Sequence, residues 1–170
     1  LALPGSVYLY QGEELGLPEV ADLPGDVLQD PIWLRTGNKL KGRDGCRVPL
    51  PWNAKAKNFG FGEGTPHLPM PSWFAEYAAD VEDADKTSTL NLYRAALNMR
   101  ATLISAVEGK DFEWVPNTHP DIVHFARGKW ECITNFSDQP IAFDTSHVAL
   151  SSAPFTDGLI PANTAFWLVQ

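Results

Sequence analysis

The sequence predicts an α/β segment followed by a small all-β segment in a chain of 170 residues. Glycine and proline are unevenly distributed, since 10 of the 13 glycines and 9 of the 14 prolines lie in residues 1–75. Residues 76–107 contain neither, and apolar residues recur there at helical spacing. From residue 112 onward, short apolar runs alternate with turn residues, which is typical of antiparallel strands. These observations divide the chain into a loop-rich stretch, a helix and a sheet.

Residues 6–11 predict a strand, because a run rich in aromatic and apolar residues lies between Pro4-Gly5 and Gly12. Apolar side chains on both faces are typical of a strand buried in a parallel sheet. Residues 17–74 show neither a helical nor a strand period. Such a long connection is usually functional or disordered, and its six Trp and Phe residues argue against disorder. We therefore predict an ordered active-site loop of the kind that follows strands in α/β enzymes.

The next stretch predicts a helix over residues 88–105. Asp, Thr and Ser residues supply start signals before it. Leu90, Tyr93 and Leu97 then recur at helical spacing and define the predicted buried face. A second, short helix is expected near residues 74–82.

The last stretch predicts a small antiparallel β-sandwich. Its apolar runs recur at intervals of about 8–12 residues, the spacing typical of such folds. The predicted strands are residues 112–115, 122–126, 130–135, 141–143, 147–150 and 164–168. Roughly sixty residues give only a marginal core, so we expect this module to depend on what precedes it.

Composition restricts the class of partner and the compartment. A net charge of −8 and a pI near 4.8 argue against nucleic acid or an anionic membrane as the partner, since both require clustered Lys and Arg. No apolar run approaches the roughly 20 residues of a membrane span. Cys46 and Cys132 lack the spacing of a zinc site or disulfide framework, which favours reduced thiols in a cytoplasmic protein. Because the chain begins at Leu1 without Met and continues directly into an apolar segment, truncation and processing are both open hypotheses.

Two groups of charged residues are candidates for ligand contacts. Glu13 and Glu14 follow the predicted strand, and on an extended backbone their side chains point to opposite faces. One of them can therefore hydrogen-bond a ligand, with a structural role as the alternative. Arg43, Asp44 and Arg47 lie in the loop, where an arginine fork suits carboxylates or vicinal oxygen atoms. The alternative is a solvated loop with a local Arg–Asp pair of little energetic consequence.

Aromatic residues of the loop form a third candidate group. Trp52, Phe59 and Phe61 can stack on the flat apolar face of a ligand such as a sugar ring, or they can pin the loop to its scaffold. We predict structural roles and no metal site for the histidines, because they show no metal-ligand spacing; they are His67, His119, His124 and His147.

Three segments carry a family resemblance. Residues 5–16 read GSVYLYQGEELG, residues 43–52 read RDGCRVPLPW, and residues 88–100 begin STLNLYR. The first is similar to the eighth barrel strand of the alpha-amylase superfamily, glycoside hydrolase family 13, with Val7 where proline is usual. The second resembles a segment of the α-glucosidase and oligo-1,6-glucosidase branch, with Leu50 where methionine is usual. The third resembles that branch's last barrel helix.

The resemblance implies a fold and an activity. It places the last strand, long loop and last helix of a (β/α)8 barrel in residues 1–107 and the C-terminal β-sandwich in residues 108–170. The expected enzyme is a cofactor-free retaining α-glucosidase that hydrolyses terminal α-linked glucose from short oligosaccharides. Arg47 matches the arginine on the floor of the terminal-glucose pocket. Glu14 matches a position beside the leaving-group subsite, and Trp52 one that frames the site.

The resemblance also implies that no catalytic residue lies in this chain. The family's nucleophile, acid–base and stabilising carboxylates follow earlier strands and would lie upstream of Leu1. We therefore expect the chain to require the missing N-terminal part of the barrel and to be inactive alone.

Two alternatives stay open. One is a glucosyl isomerase or transferase of the sucrose or trehalose type on the same scaffold. The other is a non-catalytic module whose β-sandwich binds carbohydrate or buttresses a barrel. Against carbohydrate binding, Trp114, Trp130 and Trp167 occupy strand positions where core packing is expected.

Overall fold

The computed structural model describes residues 1–105, 112–117 and 119–169, which form two compact units. One unit consists of Leu1–Val7 and Arg94–Gln170, and the other of Tyr8–Tyr93. The predicted domain boundary between residues 107 and 108 lies outside the described residues.

The unit Tyr8–Tyr93 is built mainly from irregular but ordered chain, as predicted for the long loop. Its short helices are α1 (Pro31–Arg35) and α2 (Ala79–Ala84). Single 3₁₀ segments occur at Glu13–Leu15, Asp44–Cys46, Lys57–Gly60 and Ser72–Tyr77. The short helix expected near residues 74–82 is therefore divided between the last 3₁₀ segment and α2.

An aromatic cluster gives this unit its core. Phe74 is completely buried, and its ring meets Trp73 edge-to-face at a centroid distance of 4.7 Å and Phe59 at 6.1 Å. The cluster also contains aliphatic residues from the whole loop: Val20, Leu23, Leu28, Val48 and Leu68. Phe59 thus pins the loop, whereas Trp52 and Phe61 are 53% and 50% exposed and remain available to a ligand.

The predicted strand over residues 6–11 is wrong for this structure. These residues have no strand conformation, and Tyr8 is 90% exposed. Every strand in the described part of the chain lies between Glu113 and Val169 and pairs antiparallel with another strand there. Backbone groups of residues 6–11 therefore have no neighbouring strand to complete a parallel ladder.

The long helix, α3 (Thr89–Ser105), confirms the prediction to within one residue. Its start is fixed by side chains, since the Ser88 hydroxyl accepts a hydrogen bond from the Asn91 N–H at 3.2 Å and a Glu82 carboxylate oxygen accepts one from the Leu90 N–H at 3.1 Å. The predicted buried face is only partly correct, because Leu97 is 39% exposed while Ala96 is buried.

Arg100 is buried on this helix because it binds backbone oxygen atoms. Its guanidinium donates hydrogen bonds to the carbonyls of Leu1, Leu3 and Gly5. A buried cation with several acceptors avoids the cost of an unsatisfied charge. Arg100 thereby ties the first residues of the chain to α3 within their own unit.

Two antiparallel sheets complete that unit, in agreement with the prediction of short antiparallel strands. The larger sheet has the order β1-β2-β3-β7-β5, and β4 pairs with β6 in the smaller one. The strands are β1 (Glu113–Trp114), β2 (Ile122–Arg127), β3 (Trp130–Asn135), β4 (Ile141–Ala142), β5 (Val148–Ser151), β6 (Leu159–Ile160) and β7 (Thr164–Val169). Sequence reasoning missed β6, which is too short to show a strand period.

Two apolar clusters stabilise the sheets. Trp130 and Trp167 pack at a centroid distance of 5.3 Å in one cluster. Ile160 of β6 joins Phe166 of β7 in the other, so the two sheets share buried residues. The prediction that Trp114 is buried is wrong: it is 66% exposed, because the edge strand β1 pairs only with β2.

Both cysteines are free, and we expect them to differ in reactivity. Burial raises the pKa of the Cys132 thiol to about 11, so about one thiol in a thousand is ionised at pH 8. Cys46 is only half-buried. Brief iodoacetamide treatment of the folded protein at pH 8 should therefore alkylate Cys46 first, as measured by peptide mass. Equal labelling of the two thiols would contradict this packing of Cys132.

None of the helices in the described ranges combines the length and hydropathy that a membrane span requires.

Candidate functional site

The predicted loop arginine, Arg47, is anchored at one edge and open at the other. It lies directly after the 3₁₀ segment Asp44–Cys46. Its Nη1 atom is 3.0 Å from Asp30 Oδ2 and 3.8 Å from Asp44 Oδ1. The arginine side chain is 43% exposed, while both aspartates are buried. An arginine held in this way combines a fixed position with access to a ligand.

Backbone N–H groups hold the two aspartates in place. Asp44 Oδ2 accepts hydrogen bonds from the N–H groups of Gln29 and Asp30, each at 2.8 Å. Asp30 Oδ1 caps α1 through the Ile32 N–H at 3.0 Å, and Asp30 Oδ2 accepts from the Arg43 N–H at 3.1 Å.

These contacts decide the ionisation of Asp30. Hydrogen bonds from the Ile32 and Arg43 N–H groups, supported by the Arg47 charge, hold the pKa of Asp30 below its ordinary value. A general acid needs a pKa raised towards the working pH. Asp30 is therefore suited to fixing a cation and unsuited to protonating a leaving group.

Glycine permits the close approach of the loop to Asp30. Gly42 has a φ of +76°, and a Cβ there would lie 2.5 Å from Asp30 Cγ. Gly45 lies so close to Val20 that a Cβ on Gly45 would be 2.6 Å from the Val20 carbonyl oxygen. The Gly-Arg-Asp-Gly sequence at residues 42–45 thus brackets the arginine–aspartate network with positions that exclude larger side chains.

A depression of about 260 Å³ adjoins the Arg47 side chain. It is lined by Gln29, Asp44, Arg47, His67 and Leu68. In the described part of the chain, the polar contacts of the guanidinium all use Nη1. The Nε and Nη2 donors can therefore serve a ligand, and a planar donor pair matches two neighbouring oxygen atoms.

Trp52 presents its ring from a rigid backbone. Its N–H donates to the Phe59 carbonyl at 2.8 Å, and its own carbonyl accepts from the Asp80 N–H at 3.2 Å. Asn58 and Phe59 adopt left-handed φ values of 48° and 50°, and this turn directs the Phe59 carbonyl back towards the Trp52 N–H. Such strained backbone persists only where its surroundings determine it, here through the contact of the Phe59 ring with the buried Phe74 ring.

Glu14 differs from its predicted geometry. Residues 13–15 form a 3₁₀ segment, so the expectation of an extended backbone with opposed carboxylates is wrong. Glu14 Oε2 accepts from the Gly12 N–H at 2.9 Å. Burial raises the pKa of the Tyr93 hydroxyl, and the negative charges of Glu13 and Glu14 add to that effect.

Of the three predicted binding residues, Arg47 alone lines the depression described above. The depression beside Arg47 contains neither Glu14 nor Trp52. Sequence reasoning missed Asp30 and Gln29; only the Asp30-Pro31 pair, a helix-start signal, marks this position. No group of three metal-ligating side chains occurs within the described ranges.

A sequence model of the alpha-amylase catalytic domain matches residues 1–109. Among curated proteins, the chain is 36% identical over 143 residues to a probable alpha-glucosidase of Rhizobium meliloti (strain 1021), covering 82% of this chain and 25% of the relative. It is 26% identical over 165 residues to probable oligo-1,6-glucosidase 2 of Bacillus subtilis (strain 168), covering 83% of this chain and 28% of the relative.

Among solved structures, the alpha-glucosyl transfer enzyme XgtA matches with a TM-score of 0.72 and 29% identity. The match covers 95% of this chain and 32% of that enzyme. The chain therefore spans about a quarter to a third of the length of these three proteins.

Proposed function

Because the chain belongs to the alpha-amylase superfamily, in its α-glucosidase and oligo-1,6-glucosidase branch, we propose that it is the C-terminal part of a retaining α-glucosidase. The complete enzyme hydrolyses terminal α-linked glucose from short oligosaccharides. The observation that carries this proposal is the Arg47 guanidinium, which is anchored through Nη1 and offers its remaining donors beside an open depression.

The chemistry of the loop fits a sugar ligand. A pyranose ring offers vicinal oxygen atoms that an arginine fork can bind and an apolar face that an aromatic ring can cover. In this proposal Arg47 binds ring hydroxyl groups, and the exposed Trp52 ring covers a sugar face or frames its entry. Glu14 contributes beside the leaving-group position. Its present bond to the Gly12 N–H uses Oε2 and leaves Oε1 able to accept from a hydroxyl.

The catalytic carboxylates belong to another part of the complete protein. Retaining hydrolysis requires a nucleophile and an acid about 5–5.5 Å apart across the scissile bond. Asp30 and Asp44 are the carboxylates beside Arg47, and each is committed to two backbone N–H groups. The relatives are three to four times as long as this chain. Their length is in agreement with binding residues in one part of the sequence and catalytic residues in another.

Glucosyl transfer on the same scaffold is the second candidate. The similarity to an alpha-glucosyl transfer enzyme at 29% identity supports it. Hydrolysis and transfer share the glycosyl-enzyme step and differ in the acceptor, water or a sugar hydroxyl.

Product analysis of the complete protein separates the two candidates. Maltose, isomaltose and sucrose are each incubated with the enzyme, and products are followed by chromatography and by NMR of the anomeric proton. Retaining hydrolysis predicts that the glucose first released from sucrose, whose other product is fructose, is the α-anomer. Longer oligosaccharides or rearranged disaccharides as the main products would favour transfer or isomerisation. β-Glucose as the glucose first released from sucrose would contradict both.

A further inference from the structure

We propose that Asp30 is the positioning residue of Arg47: its carboxylate fixes the guanidinium so that the remaining donors face the sugar. The inference rests on the proposed function. Sugar affinity should depend on a buried carboxylate that lies 17 residues before the arginine and does not itself touch the ligand.

Asp30 is built to hold a cation. It is 8% exposed, and three donors converge on its two oxygen atoms: the Ile32 N–H, the Arg43 N–H and Arg47 Nη1, at 3.0, 3.1 and 3.0 Å. Its backbone is itself fixed by the bond from its N–H to Asp44 Oδ2. The carboxylate therefore has a single orientation before any ligand arrives.

Asp44 has a different role from Asp30. It lies 3.8 Å from Arg47 Nη1, beyond hydrogen-bond distance, and its Oδ2 atom is occupied by two backbone N–H groups. Asp44 thus shapes the loop around Asp30, while Asp30 makes the direct bond to the arginine. This difference assigns positioning of the guanidinium to Asp30.

Anchoring matters because the arginine side chain is long. A free arginine side chain loses rotamer entropy when a ligand fixes it. In this structure the ion pair with Asp30 has already restricted the side chain, although 43% of it is exposed. Preorganisation of this kind raises affinity by lowering the entropic cost of binding.

The experiment uses the complete protein and an aryl α-glucoside, and it measures kcat and KM separately. Asp30→Asn retains one oxygen, which can cap α1, and removes the charge and the second acceptor. Its KM is expected to rise about tenfold, the size of one charge-assisted hydrogen bond, with kcat changed by less than about twofold.

Thr36→Ala is the matched control for local destabilisation. The Thr36 hydroxyl donates to the Ile32 carbonyl at 2.7 Å and accepts from the Leu40 N–H at 3.1 Å, so its loss weakens α1 without touching Arg47. This variant should keep the wild-type KM. A second test combines Asp30→Asn with Arg47→Met. If Asp30 acts through the arginine, Asp30→Asn has no further effect on KM in that background.

The outcomes separate this inference from the proposed function. Wild-type protein that hydrolyses no α-glucoside overturns the proposed function. If Arg47→Met raises KM while Asp30→Asn keeps the wild-type KM, the inference is overturned and the proposed function stands. Equal increases in KM for Asp30→Asn and Thr36→Ala, or additive effects in the double variant, also overturn it.

Discussion

Replacing Arg47 by methionine in the complete protein is expected to raise KM for an aryl α-glucoside by about tenfold to a hundredfold. Hydrogen bonds to a charged group contribute about 1.5–3 kcal/mol, and methionine keeps the apolar stem while losing every donor. If the arginine binds substrate and transition state equally, kcat changes little. Steady-state kinetics with saturating and limiting substrate measure both constants.

Arg35→Met is the matched control for this change. Arg35 is exposed at the end of α1, so its replacement removes the same charge from the same unit. Its KM should equal that of the wild type. A wild-type KM for Arg47→Met would contradict the assignment of this arginine to the substrate site.

Replacing Phe74 by alanine should lower the free energy of unfolding of its unit by about 3–5 kcal/mol, the range for a fully buried phenylalanine. Its ring is completely buried against Trp73 and Phe59, and the surrounding loop has little regular structure to compensate for the cavity. Urea denaturation followed by tryptophan fluorescence measures the change, because Trp73 contacts the altered site.

Phe61→Ala is the corresponding control in the same loop. Phe61 is 50% exposed, and surface changes of this kind usually alter stability by about 0.5 kcal/mol or less. Equal denaturation midpoints for the two variants would show that the aromatic cluster does not stabilise the loop.

The secondary structure with a clear period was predictable from the sequence. The stripe around Leu90 and Tyr93 placed α3 within one residue, and alternation placed β3 at Trp130–Asn135. These elements form local hydrogen-bond patterns that local sequence specifies. The strand expected over residues 6–11 failed because a parallel strand depends on neighbours that its own residues do not encode.

The candidate site was predictable only in part. Arg47 was identified from its motif, and the aromatic character of the loop indicated order. The contact of Arg47 with Asp30 spans 17 residues and depends on the left-handed turn at Gly42, so no periodic pattern signals it. The 3₁₀ conformation of Glu14 likewise depends on tight turns at Gly12 and Gly16, each with positive φ, rather than on the alternation of a strand.

We propose that this segment supplies groups that bind the sugar while the nucleophile and the acid lie elsewhere in the complete protein. The most direct measurement compares turnover of an aryl α-glucoside by the purified 170-residue chain and by the complete protein, each freed of contaminating glucosidase. We predict turnover by the complete protein and none by the chain alone. Turnover by the chain alone that is abolished by Asp30→Asn or by Asp44→Asn would contradict this proposal, because it would place the catalytic carboxylates beside Arg47.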